Sequence, residues 1–168
     1  MKRVKKTILL GSLTGALLIG AVGAASAQMV VRVYGPNAAA PIASATAVPP
    51  GYTTFYLSGA LPTPVTPANG KPIVQGDTAT QTRSVLDNLK AVMDKMGIGY
   101  GDVVAAHVFL DPKADFMAMN KVWATEFGTA AQPNKPARAT VFVHALVAPG
   151  ALLEIEFIAA KKVSATKK

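Results

Sequence analysis

The side chains best suited to chemistry lie in two alternating segments, Pro136-Ala137-Arg138-Ala139-Thr140-Val141-Phe142-Val143 and Leu152-Leu153-Glu154-Ile155-Glu156-Phe157-Ile158-Ala159-Ala160. Arg138 carries a planar fork of donors that can grip a carboxylate through two parallel hydrogen bonds. Glu154 could then handle a water or a proton beside it. An arginine for an acid group and a carboxylate for a water suit a small amino- or imino-acid substrate. A plainer reading stands beside this one: Arg138 forms an inter-strand ion pair with Glu154 or Glu156, and Glu154 only orients it. Glu156 is a structural partner on either reading.

Composition narrows the chemistry. The 168 residues contain no cysteine, so thiol nucleophiles, disulfides and cysteine-ligated metals are excluded. His107 and His144 lack the neighbouring carboxylate that a three-ligand zinc site needs, and they read as packing or interface residues. No metal and no cofactor is expected. The formal charge of +8 is concentrated at the two ends, with four Lys/Arg in residues 1–6 and four in 161–168. Between them, nine Lys/Arg face nine Asp/Glu, so the body is neutral. A nucleic-acid partner is not expected, because binders of that kind concentrate basic charge on the folded domain.

Residues 1–27 read as a secretory signal peptide: a basic start, an uncharged apolar run over 7–23, then Ala25-Ser26-Ala27 as a small-x-small cleavage site. The alternative is a retained anchor, but the run is short for a membrane span and carries four glycines. The expected mature protein starts near Gln28, is periplasmic or secreted, and has no stable membrane insertion after cleavage. Residues 28–160 form the domain, and 161–168 a basic, disordered tail.

Within the domain, residues 29–33, 42–48 and 53–58 read as strands. Pro49-Pro50-Gly51 turns the second and third into a hairpin. Tyr56 reads as a core residue. Residues 61–76 hold four prolines and two glycines and form a loop. Thr78-Ala79-Thr80-Gln81 fits a capping box, with Asp77 adding negative charge. Val85, Leu86, Leu89, Val92, Met93 and Met96 give the helix that follows one apolar face, and Gly97 stops it. Residues 103–110 form a strand. Asp115 caps a second helix whose buried stripe is Phe116, Met119, Val122, Trp123 and Phe127, with Gly128 as its end. Two strands close the chain. The order implies an α+β sandwich with two helices on one face of a sheet.

Alternation then divides the last two strands. Ala139, Val141 and Val143 point one way, and Arg138, Thr140, Phe142 and His144 the other. Leu153, Ile155, Phe157 and Ala159 share a face opposite Leu152, Glu154, Glu156 and Ile158. The more apolar faces are expected to meet the helices. The mixed faces, Arg138 and Glu154 included, are expected to form an oligomer interface with a polar pocket.

At these residues the chain resembles the Rid family, the reactive-intermediate (enamine/imine) deaminases also called YjgF-like proteins. The resemblance covers roughly residues 40–160. It rests on Leu57-Ser58-Gly59-Ala60-Leu61-Pro62, then Gln81 and the run Ser84-Val85-Leu86-Asp87-Asn88-Leu89-Lys90. Asp102-Val103-Val104, Val108-Phe109-Leu110, Asp115-Phe116 with Asn120, Pro136-Ala137-Arg138 and Glu154-Ile155-Glu156 follow. Each piece is short; their order and spacing are specific.

The resemblance implies a chorismate-mutase-like fold with a mixed sheet, and a homotrimer whose sheets form a central barrel with clefts between subunits. It implies hydrolysis of enamines or imines of the 2-aminoacrylate/iminopyruvate type to 2-keto acids and ammonia, without metal or cofactor. Arg138 would hold the substrate carboxylate, and Glu154 would serve the attacking water. Ser58, Gly59, Asn120 and Thr140 would line the cleft; Asn120 also admits the reading that it merely caps local backbone. Three departures stand out. Ala40-Pro41-Ile42 occupies the place of the family's Gly-Pro-Tyr, Thr140 stands for a frequent cysteine, and 146–151 is longer than the usual turn. The rival readings are a periplasmic protein that binds a keto acid without turnover and, less favoured, an endoribonuclease.

Overall fold

Two helices lie against one face of a four-stranded sheet in the computed structural model, which describes residues 29–37, 39–68 and 70–162. The expected signal peptide and residues 163–168 of the expected tail lie outside the described residues. Strands β1 (Val31–Val33) and β2 (Ala45–Ala47) form a small antiparallel ribbon. The main sheet is built from β3 (Thr53–Ala60), β4 (Val103–Leu110), β5 (Ala137–Phe142) and β6 (Leu153–Lys161), in the order β3-β6-β4-β5. The β4–β5 pair is parallel and the others antiparallel, so the sheet is mixed. Helices α1 (Thr78–Lys95) and α2 (Phe116–Trp123) supply the cover.

The sheet order follows from hydrophobicity. Strand β6 carries Leu153, Ile155, Phe157 and Ala159 on one face, all fully buried, and it takes a central position. Beside it, Ala106, Val108 and Leu110 of β4 pair with Phe157, Ile155 and Leu153 and are buried on the same side. Valine, isoleucine and phenylalanine suit such a pleated surface, and each fully buried side chain stabilises by about 1.5–3 kcal/mol. Val85, Leu86, Leu89 and Met93 of α1 and Met119 and Trp123 of α2 close over it. Val92, Met96 and Phe116 fall outside that cover and are exposed. Trp123 stacks on Phe127 at 4.4 Å between ring centres, with Phe157 edge-on to both.

Both helix starts are set by aspartates. Asp115 accepts from the amides of Met117 and Ala118. At α1 the cap is Asp77, which accepts from the Thr80 amide at 2.8 Å, so the predicted capping box centred on Thr78 does not form. Thr78 instead accepts from the Asp115 amide, tying one helix start to the other. Buried Gln81 reaches away from its own helix to the Gly76 and Gly150 carbonyls and the Leu152 amide. Its side chain thus joins the loop before α1 to the start of β6. Gly97, at φ +66°, ends α1 in the left-handed conformation that glycine tolerates best. Helix α2 ends at Trp123, with irregular turns continuing to Phe127 rather than a helix running to Gly128.

Four other expectations are corrected. Residues 42–48 and 53–58 are not a hairpin: β2 pairs with β1, while β3 pairs with β6. The long apolar β6 offers β3 a partner that buries Leu57, which the short Ala45–Ala47 segment cannot match. Tyr56, one residue out of phase with Leu57, is 79% exposed rather than in the core. Strand β6 runs through Lys161, whose ammonium donates to the Gly97 carbonyl, one residue into the segment expected to be tail.

The fourth correction bears on function. Arg138, Thr140 and Phe142 pair with Ala106, Val108 and Leu110, which are buried beneath the helices. Laterally paired residues point to the same side of a sheet, so Arg138 faces the helices. Ala139 and Val141, expected there, lie with His107 and Phe109 on the open face. Glu154 pairs with Phe109 and Glu156 with His107, which puts both glutamates on the open face as expected.

Candidate active site

Arg138 sits on β5, the edge strand next to α2. Its guanidinium carbon lies 4.7 Å from the centre of the Trp123 ring, and one terminal nitrogen donates to the Asn120 side-chain oxygen at 2.6 Å. The other terminal nitrogen rests 4.0 Å from the Met119 sulfur. The α2 sequence sets this arrangement: Met119, Asn120 and Trp123, at three- and four-residue spacing, present thioether, amide and indole on one side. The indole is itself fixed, because its N–H donates to the Pro41 carbonyl at 2.9 Å.

No Asp or Glu among the described residues pairs with Arg138. Burial without a carboxylate pulls its pKa down to about 10, so it remains charged at neutral pH. A desolvated cation with one amide partner and spare donors is a strong site for an incoming anion. Thr140, two residues along the same face, has a buried hydroxyl with no hydrogen-bond partner. The segment before β2 runs beside this strand. Ala43 bridges Ala137 in parallel and donates to the Pro136 carbonyl, bringing half-buried Ile42 into the neighbourhood of Arg138.

Glu154 is on the other side of the sheet. It is half-buried, and its carboxylate lies against the backbone of Gly59: a Cβ built on Gly59 would fall 2.0 Å from Oε1. A side chain at this position would push the Glu154 carboxylate out of its place. The β3–β6 register shifts between Leu57 and Ala60, and this irregularity carries Ser58 and Gly59 out of the ladder toward Glu154. The segment leaving β3 is pinned to α1: Asn88 donates to the Leu61 carbonyl, and Ser84 accepts from the Thr63 amide. Exposed Ser58 and Gly59 also line a groove of about 380 Å³ between β3 and α1.

The sequence-derived residues therefore fall into two groups. Arg138, Asn120 and Thr140 share the helix-covered side at the β5 edge. Glu154, Gly59 and Ser58 share the open side, toward the β3 edge. One chain does not bring Arg138 and Glu154 together, and the inter-strand ion pair between Arg138 and either glutamate is absent. Glu156 lies 3.7 Å from His107 instead. Asn120 does not spend its side-chain oxygen on local backbone; it holds the guanidinium. Trp123 is the core residue expected from the sequence, and it is also the platform for Arg138, a second role the sequence reading missed. Its spacing of three from Asn120 on one helix was the available signal.

Comparison with known proteins is consistent across sequence and fold. Residues 35–161 match a family model described as Endoribonuclease L-PSP. A RutC family protein of Pyrococcus horikoshii is 36% identical over 130 residues, covering 77% of this chain and 97% of that protein. The 3-aminoacrylate deaminase RutC of Acinetobacter baylyi is 39% identical over 104 residues, 62% of this chain and 76% of that protein. Among solved structures, a Rid-family protein of unknown function from Yersinia pestis superposes with a TM-score of 0.60 at 25% identity, covering 77% of this chain and 98% of its own.

Proposed function

The chain belongs to the Endoribonuclease L-PSP family, the Rid/YjgF proteins, and from that premise we propose that it is a deaminase of reactive enamines and imines. The substrate class is a small 2-imino acid of the 2-aminoacrylate/iminopyruvate type, and the products are a 2-keto acid and ammonia. The observation that carries this reading is Arg138: a desolvated guanidinium, held by Trp123 and Asn120, with no carboxylate of its own. The deaminase among the relatives supports the same reaction class.

The chemistry follows from the two groups. Arg138 grips the substrate carboxylate and fixes the imine carbon relative to the protein. The enamine tautomerises to the imine, and water then adds to the C=N carbon. Glu154 takes a proton from that water, and a proton is delivered to nitrogen. The C–N bond of the resulting carbinolamine breaks, ammonia leaves, and the carbonyl forms. General-base assistance of this kind contributes about 10²–10⁴-fold. Because Arg138 and Glu154 lie on opposite sides of one sheet, a complete site takes Arg138 from one copy and Glu154, Gly59 and Ser58 from another. A closed homotrimer supplies three such seams with one kind of contact.

Ile42 favours a second reading. It stands beside the Arg138 strand where the family's tyrosine would bring a hydroxyl, and this suits a protein that binds a keto acid without turnover. The family description also raises RNA cleavage, but the neutral body speaks against a phosphate-tracking surface. One assay separates the three. Iminopyruvate is generated with an amino-acid oxidase and trapped with semicarbazide. The deaminase reading expects the protein to suppress trapping and Arg138→Ala to abolish that effect. Unchanged trapping with saturable keto-acid binding by calorimetry establishes the binding reading instead, and RNA cleavage that survives Arg138→Ala establishes the third. For location, we infer export followed by removal of residues 1–27; the mass of the protein recovered from the cell envelope should correspond to a start at Gln28.

A further inference from the structure

The open face beside Glu154 carries a depression of about 270 Å³ lined by Phe109, Val143, Ala145, Leu146, Val147 and Glu154. Glu154 is the one titratable side chain in that lining. Its carboxylate stands between Gly59 on one side and an apolar wall on the other. Most of the wall comes from the segment joining β5 to β6, which is braced rather than loose. Val143 donates to the Leu110 carbonyl at 2.8 Å, Val74 donates to the Pro149 carbonyl at 2.9 Å, and Gln81 clamps Gly150 and Leu152. These bonds hold Leu146 and Val147 out over the sheet, and Val147 is 86% exposed. An exposed branched side chain on a fixed loop, next to the proposed base, is placed to touch whatever Glu154 acts on.

We propose that Phe109, Leu146 and Val147 form the subsite for the substrate side chain and direct turnover toward 2-imino acids with branched aliphatic or aromatic side chains. This inference rests on the deaminase reading and deepens it. The depression, about 270 Å³, offers more space than the methyl of iminopyruvate fills. Against Phe109, Leu146 and Val147 a polar side chain would lose water and gain no partner. Each methylene buried against the wall raises binding about fourfold when fully covered. In an open depression, three added carbons give about a tenfold gain in kcat/KM.

The test compares imines generated from alanine, leucine and phenylalanine by an L-amino-acid oxidase, with the full chain as catalyst and semicarbazide as trap. The expected result is kcat/KM about tenfold higher for the leucine- and phenylalanine-derived imines than for the alanine-derived one. Val147→Ser combined with Leu146→Ser should collapse that ratio toward one, with the loss falling mainly on KM. Leu146→Trp, which fills the depression, should reverse the ratio. A wild-type preference for the alanine-derived imine overturns the inference while leaving the deaminase reading intact, as does a ratio that none of these substitutions moves. Hydrolysis of no imine at all overturns both. A crystal structure of the assembled protein in which a neighbouring subunit fills the depression also overturns the subsite.

Discussion

Around Arg138, every neighbour is fixed: the ring of Trp123 beneath, the Asn120 oxygen at one end, the Met119 sulfur at the other. Across the sheet, Glu154 is half-exposed and makes no hydrogen bond or ion pair among the described residues, with Gly59, Phe109 and an apolar loop near it. The first environment orients a charge before any ligand arrives, at the cost of burying that charge unpaired. The second leaves a carboxylate half open to solvent with no fixed partner. On the proposed mechanism they divide one reaction between a rigid anchor and a responsive base. Their positions on opposite faces explain why a monomer holds both groups without joining them.

The largest effect should come from separating the two environments genetically. Arg138→Ala and Glu154→Gln are each expected to lower kcat/KM by about 10²–10³-fold. Arg138→Met should leave the melting temperature unchanged or raised, because it relieves an unpaired buried charge. Mixing the two inactive variants by denaturation and refolding should restore activity at about a quarter of the sites, since a random trimer seam then sometimes joins an intact Arg138 to an intact Glu154. No recovery, with trimers re-formed by light scattering, would place both groups in one subunit's site and erase the division.

Next in size is Gly59→Ala. The added methyl falls on the Glu154 carboxylate and should reduce kcat by about 10–10²-fold with little change in KM. A rise in KM alone would mean that Glu154 serves binding rather than turnover. Asn120→Leu sharpens the anchor side: losing one charge-assisted hydrogen bond should raise KM about tenfold while kcat changes little. Asp77→Ala is the smallest and touches neither site. It removes the α1 cap and should lower the melting temperature by a few degrees at neutral pH. The Asp77 carboxyl is held below its usual pKa chiefly by the Thr80 amide, so its contribution is present above the unfolded value and lost as pH falls through the folded one. Thermal melts of wild type and variant should therefore converge in acid.

Much of this was legible in the residues. The family motifs, the Asp115 cap of α2 and the apolar face of β6 all depend on local pattern, and local pattern is written along the chain; the α1 cap falls at Asp77, one residue before the expected Thr78. Strand pairing was less legible. Residues 42–48 and 53–58 are close in sequence, yet β3 found its partner about a hundred residues away, because the apolar face of β6 outweighs a short loop closure. Gln81 looked like a capping residue, and only the folded loop shows what it clamps.

The side to which Arg138 points illustrates the boundary best. Alternation established that Arg138, Thr140 and Phe142 share a face, because successive residues of a strand must point opposite ways. It could not establish which face the helices cover. That was decided by the register between β5 and β4, a contact across some thirty residues that sets Arg138 beside Ala106. Hydrophobicity favoured Ala139 and Val141 for burial, but an edge strand buries little, and one stacked guanidinium outweighed the preference. The identity and order of these groups are written along the chain, whereas their back-to-back placement comes from strand pairing across the sheet, which no local pattern encodes.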